Sequence, residues 1–155
     1  ILAQVDSPES TGFYVKVGSK VDLMIAATGH VILAHQAPDA CERAIEEWTR
    51  ETKKKKPADL EEHLAKIRIR GYERRASYEV TGVINSSFPV LNAQGNAVAG
   101  LTIPYVKRID DPLSMTEIIT ALRTASRQIS EALGALPPLA EEAPAKKLRP
   151  AKSKK

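Results

Sequence analysis

Residues 71–105, GYERRASYEVTGVINSSFPVLNAQGNAVAGLTIPY, constrain the fold most strongly. Apolar and polar residues alternate through the segment, and the turn signal Asn92-Ala93-Gln94-Gly95-Asn96 divides its second half. That pattern predicts a strand from Tyr72 to about Val80 and a hairpin pairing residues 82–91 with 97–107. Its polar members are unusual for strands that must carry helices. Asn85 and Ser87 share one face, as do Gly100, Thr102 and Pro104, because side chains alternate with period two. Buried amides and hydroxyls need partners, from an internal network or from a bound ligand, so this face is a candidate pocket wall.

The remaining elements are read from periodicity and caps. Residues 1–5 and 12–18 each have strand character, separated by the Asp6-Ser7-Pro8 turn signal, and are expected to form an antiparallel pair. Residues 25–34 are apolar nearly all round, which predicts a helix enclosed by protein on every side. Pro38 suits a first helical position and places Cys41, Ala44, Ile45 and Trp48 on one face. Leu60, Leu64 and Ile67 repeat at helical spacing before Gly71, a helix stop. Ser114-Met115-Thr116-Glu117 is a capping box. The helix it opens should turn Ile118, Leu122, Ala125, Ile129 and Leu133 inward and end at Gly134. The order strand, strand, helix, helix, helix, strand, strand, strand, helix gives an α+β fold, an antiparallel β-sheet with flanking helices.

A chain of 155 residues, 43% hydrophobic, holds one domain with a core of its own. That domain is expected to span residues 1–136. Residues 137–155 are rich in Pro, Ala and Lys and cannot bury a core, so a disordered basic tail is expected there. The tail carries six basic and two acidic residues, which accounts for the entire net charge of +4. Residues 1–136 are therefore neutral overall, unlike a domain whose folded surface grips a polyanion, and net charge gives no argument for DNA binding by the folded part. The tail's Lys and Arg side chains are left as a candidate contact for DNA or RNA polymerase. No stretch has the roughly 18 consecutive apolar residues of a membrane span, and the N-terminal residues lack the pattern of a secretory signal. A cytoplasmic location is expected, consistent with a single cysteine. The chain opens on Ile1 within an apolar run, and an upstream domain is expected.

Signals for chemistry are weak. Cys41 lies on the apolar face of its helix, as a core thiol would. His30, His35 and His63 lack the sequence spacing of a metal site, so no metal is expected, nor any cofactor, and no catalytic residue stands out. One electrostatic feature does. A helix starting near Thr28 leaves the amides of Ala27, Thr28 and Gly29 among its unpaired donors, where small side chains would let an anion approach. An ordinary water-facing helix start is the alternative.

The hairpin segment resembles the effector-binding half of the IclR-type bacterial transcription regulators. The resemblance is carried by Arg70-Gly71-Tyr72, Glu79, Gly82-Val83, Pro89-Val90, Gly95 and the run VAGLTI at residues 98–103. Residues 18–34, GSKVDLMIAATGHVILA, are similar to a second family segment, and the likeness extends over about residues 4–134. Two positions depart from it: Asp22 replaces a usual Pro or apolar residue, and His30 replaces a usual Lys. The resemblance implies a GAF-like or profilin-like domain that binds a small organic, in some members aromatic, carboxylate between the sheet and the first helix. It also implies a homodimer or homotetramer, and contact with DNA through a winged helix-turn-helix lying outside this chain. By the same resemblance Leu23, Arg75, Asn85, Thr102 and Pro104 fall at pocket positions. Arg75 adds a guanidinium able to grip a carboxylate bidentately. The expected ligand-binding set is thus Leu23, Ala27, Thr28, Gly29, Arg75, Asn85, Ser87, Thr102 and Pro104. Two other readings remain: a small α+β enzyme acting on an organic acid, and a structural dimerisation module whose polar residues Asn85, Ser87 and Thr102 bond only to each other.

Overall fold

The computed structural model describes residues 1–7, 12–109 and 111–136. The expected tail at 137–155 lies outside the described residues. A three-stranded antiparallel sheet, in the order β1-β2-β3, is built from β1 (Glu73–Ala76), β2 (Ile84–Leu91) and β3 (Ala97–Tyr105). Four helices accompany it: α1 (Ala27–Ala34), α2 (Pro38–Thr52), α3 (Leu60–Arg70) and α4 (Met115–Ala132). This is the expected α+β architecture.

The β2–β3 hairpin forms where its turn chemistry places it. Asn92 Oδ1 accepts from the backbone N–H groups of Gln94 and Asn96, each at 3.0 Å, and Gly95 supplies a positive φ of 77°. β1 is shorter than expected. Beyond Ala76 the chain leaves the sheet in a turn where Ser77 Oγ accepts from the N–H groups of Glu79 and Val80.

α1 lies between the sheet and the pair α2 and α3. It buries Ala27, Gly29, His30, Val31, Leu33 and Ala34, which explains why its sequence shows no polar face. Its C-terminal end is tied to β3: Ala97 N donates to His35 O at 2.9 Å, and Gln36 Nε2 donates to Ala97 O at 2.6 Å. Met24, Val31, Leu33, Ile45, Trp48, Leu60, Leu64 and Ile67 form the main apolar cluster, with Cys41, Ala44 and Leu23 packed against it. Each such side chain, fully buried, contributes roughly 1.5–3 kcal/mol.

Asp22, one of the two departures from the family pattern, has a local role. Its Oδ1 accepts from Met24 N at 2.8 Å and from Trp48 Nε1 at 3.1 Å, fastening the loop before α1 to α2.

Two expectations are corrected. Among the described residues, 1–7 and 12–20 form no strand. The Gln4 side chain takes the place of a ladder, accepting from Val15 N at 2.6 Å and donating to Phe13 O at 3.3 Å. Leu2, Val5 and Tyr14 stay exposed, and a strand pair with no covered face has little to hold it. The second correction concerns α4. Its capping box forms as expected, but the helix buries Ile118, Leu122, Ser126 and Ser130, while Ile129 and Leu133 are exposed. The inward row advances by four residues at each step, and the sheet edge selects its last two members. Ser126 Oγ donates to Pro89 O at 2.5 Å, and Ser130 Oγ accepts from Leu91 N at 2.9 Å.

Candidate ligand-binding face

The antiparallel register lines up residues across the three strands. Glu73 stands opposite Ser87, and Ser87 opposite Thr102; one step along, Arg75 stands opposite Asn85, and Asn85 opposite Pro104. Both rows face α1. The opposite side of the sheet carries Phe88, stacked on Tyr72 at 4.9 Å between ring centroids and lying under Arg123 of α4.

In the first row the hydroxyls are mutually satisfied. Thr102 Oγ1 lies 2.7 Å from Ser87 Oγ and 2.7 Å from Thr28 Oγ1. Gly100 makes this contact possible, since a Cβ there would stand 2.6 Å from Thr28 Cγ2. The space left by the small strand residue is thus filled by Thr28. At Gly29 a Cβ would collide with the Leu23 carbonyl. Both glycines serve close packing of α1, on the strand below and on the loop before it.

The second row is open. Asn85 is half-buried, and its amide has no hydrogen-bond partner among the described residues. Beside it, Arg75 Nη1 donates to His30 Nδ1 at 2.9 Å. A guanidinium only donates, so His30 accepts at Nδ1 and its Nε2–H donates to Met24 O at 2.8 Å. That tautomer is neutral. Burial pushes the His30 imidazole below its usual range; the Met24 carbonyl opposes this, and the nearby Arg75 and His63 charges reinforce it.

A cavity of about 270 Å³ opens beside this row, lined by Met24, His30, Pro57, Asp59, Leu60, His63 and Arg75. A larger groove of about 360 Å³ lies on the other side of the sheet, along α4, with Arg70, Arg123 and Arg127 in its walls. It shares no residue with the expected site.

The structure therefore brings together Thr28, Ser87 and Thr102 as one group and Arg75, Asn85 and Pro104 as another, adjacent on one face. Leu23 is half-buried against the apolar cluster, and Ala27 and Gly29 are buried in the α1 packing. What sequence reasoning missed is the charged group next to the row. His63 Nε2 lies 2.9 Å from Glu73 Oε2, Arg70 Nη2 lies 3.3 Å from Glu73 Oε1, and the His30 and His63 rings meet edge-on at 4.9 Å. His30, His63 and Glu73 offer ligand atoms all within 4.8 Å of one another. Sequence spacing reveals only partners close along the chain, whereas these three are brought together by the tertiary fold.

An α+β domain whose antiparallel sheet turns a partly polar face to a buried helix is the class these features define. The chain belongs to the C-terminal domain family of the bacterial IclR transcriptional regulators, whose family model matches residues 1–131. It is similar to the HTH-type transcriptional regulator KdgR of Escherichia coli K12, 27% identical over 137 residues that cover 86% of this chain and 52% of KdgR. BhcR of Paracoccus denitrificans, another HTH-type transcriptional regulator, is 27% identical over 83% of the chain and 48% of its own length. The crystal structure of the Thermotoga maritima IclR superposes with a TM-score of 0.64 at 28% identity, covering 84% of this chain and 54% of that one. The chain spans about half the length of the curated relatives it matches. The family and these relatives are transcriptional regulators, not enzymes, and the enzyme reading falls with that. Among the described residues no helix is long and apolar enough to cross a membrane.

Proposed function

We propose that this domain is the sensing half of a cytoplasmic DNA-binding regulator. It binds a small organic carboxylate on the α1 side of the sheet and passes the change to a winged helix-turn-helix upstream. The observation that carries this reading is the unpaired, half-buried amide of Asn85 between Arg75 and Pro104, beside a cavity that Arg75 enters. The carboxylate pairs with the Arg75 guanidinium, Asn85 bonds the ligand body, and Thr102 closes the far side. The Ala27 and Gly29 amides are secondary, since both residues are packed against protein.

The structural-module reading has its own support, because Thr28, Ser87 and Thr102 already bond one another at 2.7 Å. A thermal-shift series with small aliphatic and aromatic carboxylates separates the two. The sensor reading expects a saturable rise in melting temperature that Thr102→Leu abolishes and Asn85→Ala weakens by about 1–3 kcal/mol of binding free energy. A flat response to every acid, or equal binding by parent and both variants, sinks the proposed pocket.

A further inference from the structure

We propose that His30, His63 and Glu73 form a binding site for a borderline divalent transition-metal ion of the Zn²⁺ class. These residues come from three elements, α1, α3 and β1, and no pair of them is close in sequence. Glu73 is the anchor. It is 2% exposed, and its Oε1 is held by Arg74 N at 2.9 Å and by Arg70 at 3.3 Å, which fixes the carboxylate plane. Its Oε2 is buried and makes no aligned hydrogen bond, although His63 Nε2 stands 2.9 Å away. His63 Nε2 is likewise buried without one. The two atoms stand 2.9 Å apart without an aligned hydrogen bond; since metal bonds of about 2.0–2.2 Å set ligand atoms roughly 3.2–3.6 Å apart, an ion between them parts the pair by roughly 0.3–0.7 Å.

His30 is prepared for the same role. Its Nε2–H donates to Met24 O, a hydrogen bond that leaves Nδ1 as the lone-pair donor and sets the ring's orientation. The Nδ1 lone pair is held by Arg75 Nη1, so the ion takes the place of the guanidinium, and Arg75 moves into the adjoining cavity. Two imidazoles and one carboxylate favour Zn²⁺ or Co²⁺ over Mg²⁺ or Ca²⁺. The cavity leaves the fourth position open, and with Arg70 and Arg75 nearby that position favours an anion or hydroxide over neutral water.

This site does not rest on the carboxylate-sensor reading, and its test uses no carboxylate. The full chain, stripped with a chelator and returned to a carboxylate-free buffer, is titrated with Co²⁺ by visible absorption and with Zn²⁺ by calorimetry. The expected result is saturable uptake of one ion per chain, with the intense d–d bands of low-coordinate Co²⁺. His63→Asn and Glu73→Gln should each lower affinity tenfold or more, and His35→Asn, outside the cluster, should leave it unchanged. Arg75→Gln should tighten binding by removing the competing cation. If circular dichroism shows Glu73→Gln unfolded, the half-exposed His63 carries the test alone. Absence of one-to-one uptake overturns the site, as does uptake that survives His63→Asn, which would mark an adventitious ion only. Uptake weakened by Arg75→Gln would overturn the displacement of the guanidinium.

Discussion

Two glycines and two histidines carry most of the consequences at the residue scale. Gly100 faces Thr28, a stiff β-branched side chain whose hydroxyl is already bonded to Thr102. Gly100→Ala must therefore either rotate Thr28 off that bond or lift α1, and should destabilise by about 1–3 kcal/mol in urea unfolding. Gly29→Ala meets Leu23 backbone rather than a side-chain tip and should cost more. The reverse ranking would show that α1 is free to shift. Acid should act through His30 and His35, both held below the usual imidazole range, first by burial. The unfolded chain takes up protons below about pH 6.5 that the folded state resists. The stability tied to these groups is fully present above that pH and is lost as pH falls toward their folded values. Melting temperature measured against pH should decline from about pH 7 to 5; His35→Gln should flatten part of the decline, and a level profile would contradict the assignment.

At the scale of elements, α4 is held to the sheet by an unusual pair. Ser126 and Ser130 sit where large apolar residues are ordinarily expected, and they serve the β2 backbone at Pro89 O and Leu91 N. Ser130→Ala strands the Leu91 N–H in a buried setting and should destabilise by about 1–3 kcal/mol. Ser126→Ala leaves a carbonyl unpaired and belongs in the same range. If both variants unfold at the parent's denaturant midpoint, water reaches this contact. At the other end of α4, Ser114 and Glu117 close the capping box reciprocally, and Ser114→Ala should cost about 0.5–2 kcal/mol.

For the whole molecule, the question is what covers its apolar surface. Ile129, Leu133 and Leu136 are exposed near the end of α4, and Phe13, Tyr14, Val15 and Val17 are exposed in the N-terminal segment. β3 is an edge strand among the described residues. Regulators that read paired DNA half-sites do so as symmetric oligomers, and self-association is the assembly proposed here. Sedimentation well above micromolar concentration should report a dimer or larger species. Ile129→Glu combined with Leu133→Glu should shift it toward monomer with little change in melting temperature, whereas a monomeric parent would remove the proposal.

The sequence by itself determined the local structure: the enclosed helix α1, the Pro38 start of α2, the Gly71 stop of α3, the Asn92–Gly95 turn chemistry and the Ser114 capping box. Each is a contest settled within a few residues, by periodicity, a positive φ or an unpaired amide, so each is legible in one dimension. It also placed Asn85 with Ser87 on one strand face, and Gly100 with Thr102 and Pro104 on another. Tertiary structure decided what depends on partners far along the chain. Residues 1–5 and 12–18 have strand composition but no covered face to pair over, so composition misled there. The α4 face turned on two backbone groups of β2 that no helical period reveals. The hydroxyls of Ser87 and Thr102 found Thr28 while Asn85 found no partner, which the alternation alone leaves undetermined. His30, His63 and Glu73 meet only because α1 and α3 pack together above β1, and contact between such distant residues is set by packing, which no spacing rule encodes.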